Sequence, residues 1–354
     1  MQCRRIFRSI FILVTVMLSI AVLSLQGCAP AGKATLFVAQ EDGHVLVSTD
    51  GGANWRSRLT RPDTNLWDIS AVDEKTVWAA GQGYTADDGV VFRSVDGGNS
   101  WSQIYSGKQQ YLRGVSAVDS TTAWATGGLY PMDLELRKSV SALVLVNPVI
   151  IRTAGGVSNW ADKTPKNMFW GEVSRVAAID ADTAWVTAYS KEGTGAWMTD
   201  DGGVTWVRRF SRLNVQAEDI AAIDRDNVWV VCHDGSGLYS IVFRTSDGGK
   251  TWSSHRFAKD ELVRSIAAVN DTTAWAVGSQ GLVFKTTDGG KTWVRQKSAT
   301  KRSLHALSAT NPGNACAVGA GGAIIITTDG GKTWRKQFST NKTDFFGVSM
   351  VTAE

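Results

Sequence analysis

From residue 34 onward the apolar positions fall in short runs rich in Val, Ile, Ala, Trp and Phe, each bounded by Gly, Asp, Asn or Ser. Runs of this kind predict strands, and almost no stretch carries a helical period. They recur in a fixed order of four. The first type covers 66–73, 112–119, 173–180, 217–224, 263–270, 304–311 and 345–352. The second, of the form Thr-Ala-Trp-Ala-Val-Gly, covers 76–81, 122–127, 183–188, 227–232, 273–278 and 314–319. The third, as in 89–94 and 281–286, runs into an Asp-Gly-Gly turn, and the fourth begins at the tryptophan after it.

That turn belongs to a motif, Ser/Thr-x-Asp-Gly-Gly-x-x-Trp, intact at 48–55, 94–101, 199–206, 245–252, 286–293 and 327–334. A seventh copy at 153–160 is eroded, with Gly155 in the aspartate position. Seven copies of four antiparallel strands predict an all-β fold, a seven-bladed β-propeller with four-stranded blades. The chain after the leader starts on a second-type run, 35–40, and ends on a lone first-type run, 345–352, so one blade is shared between the termini and closes the ring. Asp50, Asp96, Asp201, Asp247, Asp288 and Asp329 are expected to accept backbone amide hydrogen bonds while the glycines take positive φ. Trp55, Trp101, Trp160, Trp206, Trp252, Trp293 and Trp334 are expected to pack between strands or blades. Equivalent copies spread round a ring cannot all face one substrate, so the motif reads as structural.

The first 27 residues read differently. Arg4, Arg5 and Arg8 precede an apolar run over 10–23, and Leu25-Gln26-Gly27-Cys28 follows, the layout of a lipoprotein signal peptide. The reading is a leader over 1–27, lipidation at Cys28, a short tether over 28–33 and a propeller over 34–354 in an exported, membrane-anchored protein. The other reading of the apolar run is an uncleaved membrane anchor. Removing 1–27 lowers the formal charge from +4 to +1, 34 basic against 33 acidic residues, so the overall charge does not suggest nucleic-acid binding. Cys232 and Cys316 fall at non-equivalent places of the second-type run and are expected to be buried free thiols. No metal-ligand spacing, nucleophile motif or phosphate loop is present, so neither metal nor cofactor is expected.

The Asp-Gly-Gly-Lys-Thr-Trp turns, alternating with Ala-Val-Asp-x-x-Thr-Ala-Trp-Ala-Val-Gly runs, resemble Asp-box, or BNR, repeat propellers. Within that group the chain is most similar to the photosystem II stability and assembly factor family and its relatives in non-photosynthetic bacteria. The resemblance covers essentially everything after Ala34. It implies a seven-bladed, non-enzymatic protein that assists assembly of a membrane complex, with a membrane-protein or complex subunit as its partner. A monomer is expected.

In an antiparallel meander, connections after the first and third runs share one face, and those after the second and fourth share the other. The first set is short and nearly constant. The second varies, with 82–88, 128–148, 189–195 and 233–240 longest, so the working face is expected there, biased to blades two to five. The insertion at about 128–148 reads equally as a functional loop or as an extension of its own blade. The starts of the innermost strands lie on the same face and place Trp67, Asp68, Arg113, Arg175, Glu218, Asp219, Arg264, His305 and Phe346 round the axial mouth. Of these, Trp67, Arg113, Arg175, Arg264, His305 and Phe346 form the candidate partner-binding rim, arginine and aromatic types being enriched at interfaces. Two other functions fit the fold. A sialidase-like glycoside hydrolase would use the arginines as a carboxylate clamp and Asp68, Glu218 or Asp219 as acid and base, but no Arg-Ile-Pro segment stands near residue 34. A carbohydrate-binding surface lipoprotein would use Trp67, Trp170 and Trp197.

Overall fold

The repeated pattern folds into seven four-stranded antiparallel sheets. The computed structural model describes residues 34–84, 88–129, 147–156, 158–166, 171–190, 193–337 and 342–352. The leader, Cys28 and its tether, Trp170 and 130–146 of the insertion lie outside the described residues.

Blade one joins β28 (Phe345–Val351) to β1 (Thr35–Gln40), β2 (His44–Ser48) and β3 (Arg56–Leu59). Blade two is β4 (Thr64–Ala71), β5 (Val77–Gly83), β6 (Asp88–Ser94) and β7 (Ser102–Lys108). Blade three is β8 (Gln110–Ala117), β9 (Ala123–Leu129), β10 (Asn147–Thr153) and β11 (Trp160–Asp162). Blade four is β12 (Glu172–Ala178), β13 (Ala184–Ser190), β14 (Gly193–Thr199) and β15 (Val207–Arg212). Blade five is β16 (Val215–Ala222), β17 (Asn227–Asp234), β18 (Ser240–Ser246) and β19 (Ser253–Arg256). Blade six is β20 (Val263–Ala268), β21 (Ala274–Gly278), β22 (Val283–Thr286) and β23 (Val294–Arg295). Blade seven is β24 (Leu304–Asn311), β25 (Asn314–Gly319), β26 (Ala323–Thr327) and β27 (Arg335–Lys336). The predicted seam is present, with β1 pairing β28 from Thr35↔Val351 to Gln40↔Phe345.

One element differs from the sequence reading. Much of the expected loop variation is strand: β5 runs to Gly83 and β6 starts at Asp88, while β13 reaches Ser190 and β14 starts at Gly193. Polar and glycine residues there extend the hairpin ladder, pairing Gly83 with Asp88 and Ser190 with Gly193. The ends of the insertion do the same, Leu129 facing Asn147.

The Asp box is a closed hydrogen-bond unit. In blade five the Thr245 hydroxyl donates to Asp247 Oδ1 at 2.8 Å and accepts from Gly249 N at 2.9 Å. Asp247 also accepts from Thr251, through its amide at 2.9 Å and its hydroxyl at 2.6 Å. The donor before the tryptophan is thus part of the motif, supplied by Asn54, Ser100, Thr205, Thr251, Thr292 or Thr333. In the eroded copy the turn itself shifts: Gly155 takes φ 69° and the Thr153 hydroxyl donates to Gly156 O at 2.5 Å.

Five of the seven box tryptophans pack edge-on against the second-run tryptophan of the preceding blade. The pairs Trp78–Trp160, Trp124–Trp206, Trp185–Trp252, Trp229–Trp293 and Trp275–Trp334 have centroids 5.6–6.2 Å apart and planes at 80–89°. At the two remaining joints Trp101 packs against the cluster that holds Phe37, and Trp55 against the one that holds Cys316. Nearer the axis, side-chain oxygens bond amides across the blades: Ser70, Ser116, Ser308 and Ser349 accept from Ala117, Ala178, Met350 and Ala71, each at 3.0 Å. These contacts make the blades interdependent. Cys232 and Cys316 are buried free thiols, as expected.

The boxes also predict an acid limit. The hydroxyl of the following Thr or Ser, or in the first box the Asn54 amide, holds each of the six carboxyls at about 2 against an ordinary 3.8. A depressed folded value means the contribution is complete above the ordinary value and is lost as pH falls from about 4 toward 2. The thermal midpoint should therefore drop steeply over that interval. Asp247→Asn, which titrates nowhere in it, should make the drop shallower; the same acid slope in wild type and variant would remove the boxes as its cause.

Candidate functional site

All seven innermost strands carry a β-bulge at the same register. In blade two Leu66 faces Gly81 and Asp68 faces Ala80, leaving Trp67 unpaired. The equivalent extra residues are Arg113, Ser174, Glu218, Arg264, His305 and Phe346. A bulge bends its strand and re-aims the side chain, and here it does so at every point round the axial mouth. Six of the seven bulge residues, with Arg175 alongside Ser174, line one cavity of about 190 Å³. These are the six sequence-predicted rim residues plus Glu218.

The bulges were not foreseen, although a signal for them exists. Gly81, Gly127, Gly278 and Gly319, which end the second run, sit opposite the bulge, where a Cβ would lie 1.9–2.1 Å from a carbonyl oxygen at or just before the start of the innermost strand. The same register position holds Ala188, Cys232 and Gln40 in the other blades, so the glycine marks the bulge without being required for it.

The mouth has two sectors. His305, Phe346 and Trp67, from adjacent blades, form an aromatic arc: His305 stacks on Phe346 with centroids 5.3 Å apart and planes at 10°, and Trp67 tilts against Phe346 at 4.8 Å. Nδ1 of His305 lies 3.2 Å from Phe345 O, and burial lowers the imidazole pKa, with Arg264 adding to the effect. The other arc is charged. Arg113 Nε pairs with Glu172 at 2.9 Å, while Arg175 donates to Arg113 O at 2.5 Å and lies 3.7 Å from Asp219. Glu218 lies 3.1 Å from His233 Nδ1. Burial works against the charges of both, but their mutual hydrogen bond prevails, lowering the Glu218 pKa and raising that of His233. Arg264 is exposed and, among the described residues, makes neither ion pair nor hydrogen bond.

Two of the three carboxylates considered as acid and base, Asp68 and Asp219, do something else. Asp68 accepts from Ile69 N at 2.9 Å and from Val115 N of the next blade at 3.0 Å. Asp219 accepts from Ile220 N at 2.9 Å, and from Ser265 Oγ at 2.8 Å and Ile266 N at 2.9 Å of the next blade. Both clamp neighbouring blades. Burial pushes the Asp68 carboxyl up to about 6 and raises that of Asp219, with Arg175 opposing both shifts. Among the described residues no group of three or more His, Cys, Asp or Glu is placed to hold a metal ion. Trp197, considered for carbohydrate, lies under the Arg208 guanidinium on β14, an interior strand of its blade, and does not line the cavity.

The family model described as photosynthesis system II assembly factor YCF48 matches residues 207–349. A structure of YCF48 bound to a D1 peptide superposes with TM-score 0.58 at 15% identity, covering 82% of this chain and 92% of that one. YCF48 from Cyanidioschyzon merolae gives 0.56 at 18% identity, covering 84% and 96%. The WD40 propeller domain of Doa1 scores 0.59 at 14% identity, covering 88% and 89%, so at these identities the likeness is one of fold. No curated protein matches in sequence. The chain is a BNR-type seven-bladed β-propeller whose residues 207–349 are similar to the photosystem II assembly factor family.

Proposed function

We propose that this protein is a non-catalytic, membrane-tethered scaffold that assists assembly by binding a segment of a partner protein at its axial mouth. The observation that carries this reading is the cavity at the axial mouth that six bulge residues, Trp67, Arg113, Glu218, Arg264, His305 and Phe346, line together with Arg175. An aromatic arc facing guanidinium groups suits an extended segment with an apolar side chain and a carboxylate, and such residues make interface hot spots. A YCF48 of like fold has been captured with a D1 peptide, which supports a peptide as the ligand class here. Engagement of Asp68 and Asp219 with backbone amides speaks against their use in glycoside hydrolysis. Export and a lipid at Cys28 complete the reading, placing the ring where it meets membrane-bound partners.

The test is affinity purification of the tagged protein from solubilised membranes. Arg113→Ala, Arg175→Ala and Arg264→Ala combined should abolish co-purification of the partner. Because Arg113 and Arg175 also hold Glu172 and Asp219, Arg264→Ala alone is the cleaner probe: it should weaken capture roughly tenfold or more with an unchanged thermal midpoint. Undiminished capture by the triple variant rejects the reading.

A further inference from the structure

The near-neutral charge of residues 28–354 conceals a strong asymmetry. Positions 279–343 hold ten lysines and arginines against two aspartates, a net +8, while the remainder of 28–354 carries −7. This stretch is the outer half of blade six and all of blade seven. Nine of the ten basic residues are exposed; the tenth, Lys285, turns inward over Trp275 and donates to Pro312 O and Gly330 O. Among the described residues only Arg295 of the ten reaches a carboxylate, Glu261 at 3.3 Å. Arg295 and Lys297 follow one outer edge, Arg335 and Lys336 the next, and Lys301 and Arg302 lie in the connection from β23 to β24. So many like charges with so few counter-charges repel one another, and an anionic surface relieves that repulsion.

We infer that the outer wall of blades six and seven is a docking surface for an anionic lipid bilayer. The place where the chain enters the ring supports this occupant. Gly51 donates to Ala34 O at 3.0 Å, and a methyl on neighbouring Gly52 would meet the Gln337 side chain, just past β27, at 3.5 Å. The entering chain therefore lies beside the basic wall. Preceding it are the apolar run at 10–23 and Cys28, and the tether 28–33 spans at most roughly 20 Å, so a membrane holding that end is within reach of the wall. This step rests on the tethered reading above. Val294, 61% exposed, sits among the charges, and the long basic side chains can lay their stems on lipid while their heads stay at the phosphates. A basic surface beside that end would add electrostatic attraction to anionic lipid and orient the ring on the bilayer. With this wall on the membrane the ring axis runs along the bilayer plane, so the mouth opens toward a neighbour in the same membrane.

Residues 34–354 contain every strand of the ring and lack the tether, which separates this proposal from the anchoring one. This form is floated with vesicles of phosphatidylcholine alone or with about 30% phosphatidylglycerol; it should float only with the anionic vesicles and be released at about 0.5 M salt. Lys297→Glu, Lys301→Glu, Arg335→Glu and Lys336→Glu combined should weaken binding about a hundredfold or more, with circular dichroism and thermal midpoint retained. The same number of reversals at Lys108, Lys166, Lys250 and Lys259, exposed on blades two to five, should leave most binding intact. Equal flotation with neutral vesicles, full binding by the first variant, an equal loss in both, or displacement by a DNA duplex at lower concentration than by free lipid headgroup would each overturn the proposal.

Discussion

Gly290→Ala should destabilise the ring by roughly 2–5 kcal/mol, combining a left-handed backbone forced on a residue with a side chain and overpacking against a rigid ring. Gly290 has φ 82°, and a Cβ there would lie 2.6 Å from Trp229 Cζ3 and 3.1 Å from its Cη2. Gly289, with φ 74°, meets the tip of Arg244 at 3.4 Å and Asp271 O at 3.7 Å, ordinary contact distances, so Gly289→Ala should carry the backbone cost alone. Trp229 is fully buried, and Trp229→Ala by itself should cost about 3–5 kcal/mol. The double variant should cost less than the sum, because the cavity left by the indole accepts the new methyl. Urea unfolding midpoints measure all four proteins. Strict additivity of Gly290→Ala and Trp229→Ala would show that the indole contact is not the source of the glycine requirement.

The second large effect is at the edge of blade two. Asp88, buried in the blade, receives both Arg61 nitrogens at 2.8 and 3.1 Å and the Ser106 hydroxyl at 2.7 Å. Arg61 also donates to Thr64 Oγ1 at 2.9 Å and Gln103 Oε1 at 3.1 Å, and its guanidinium lies over Gly83, where a Cβ would sit 1.6 Å away. The pair fastens the connection entering blade two to that blade's two outer strands. Asp88→Ala leaves a guanidinium only 24% exposed with no carboxylate, which should cost about 3–5 kcal/mol. Asp88→Asn, which keeps the shape and one acceptor, should cost less. The Arg61 hydrogen bonds hold the Asp88 carboxyl below its ordinary value, so this contribution too is complete above the unfolded value and is lost on acidification. Thermal midpoints across pH test this: a deficit in Asp88→Ala that does not shrink toward low pH would separate it from the ion pair.

Neither residue stands out in the linear chain for the reason that makes it matter. The glycine pair of each box was legible as a turn, since φ near 70–90° is a local demand. That the second glycine must also clear an indole of the preceding blade depends on a packing some 60 residues away in sequence. Arg61 and Asp88 lie in two connections that read as variable loops, and their bond forms only because β5 and β6 extend further than the apolar pattern shows. The candidate rim was legible because equivalent positions of a repeat occupy equivalent places round a ring. Its shape was not, because a bulge is a mismatch between two strands and leaves only a glycine in the partner as its trace. The basic wall was hidden for a related reason: net charge sums over the ring, while the field at a surface depends on which blades share it.

The sequence by itself determined the strand count, the blade count, the seam and the motif residues, because each follows from local propensity and strict repetition. Tertiary structure alone decided that the bulges turn scattered arginines and aromatics into one cavity and that Asp68 and Asp219 hold blades together. Those outcomes depend on distances between residues remote in the chain. Only closure of the ring sets them.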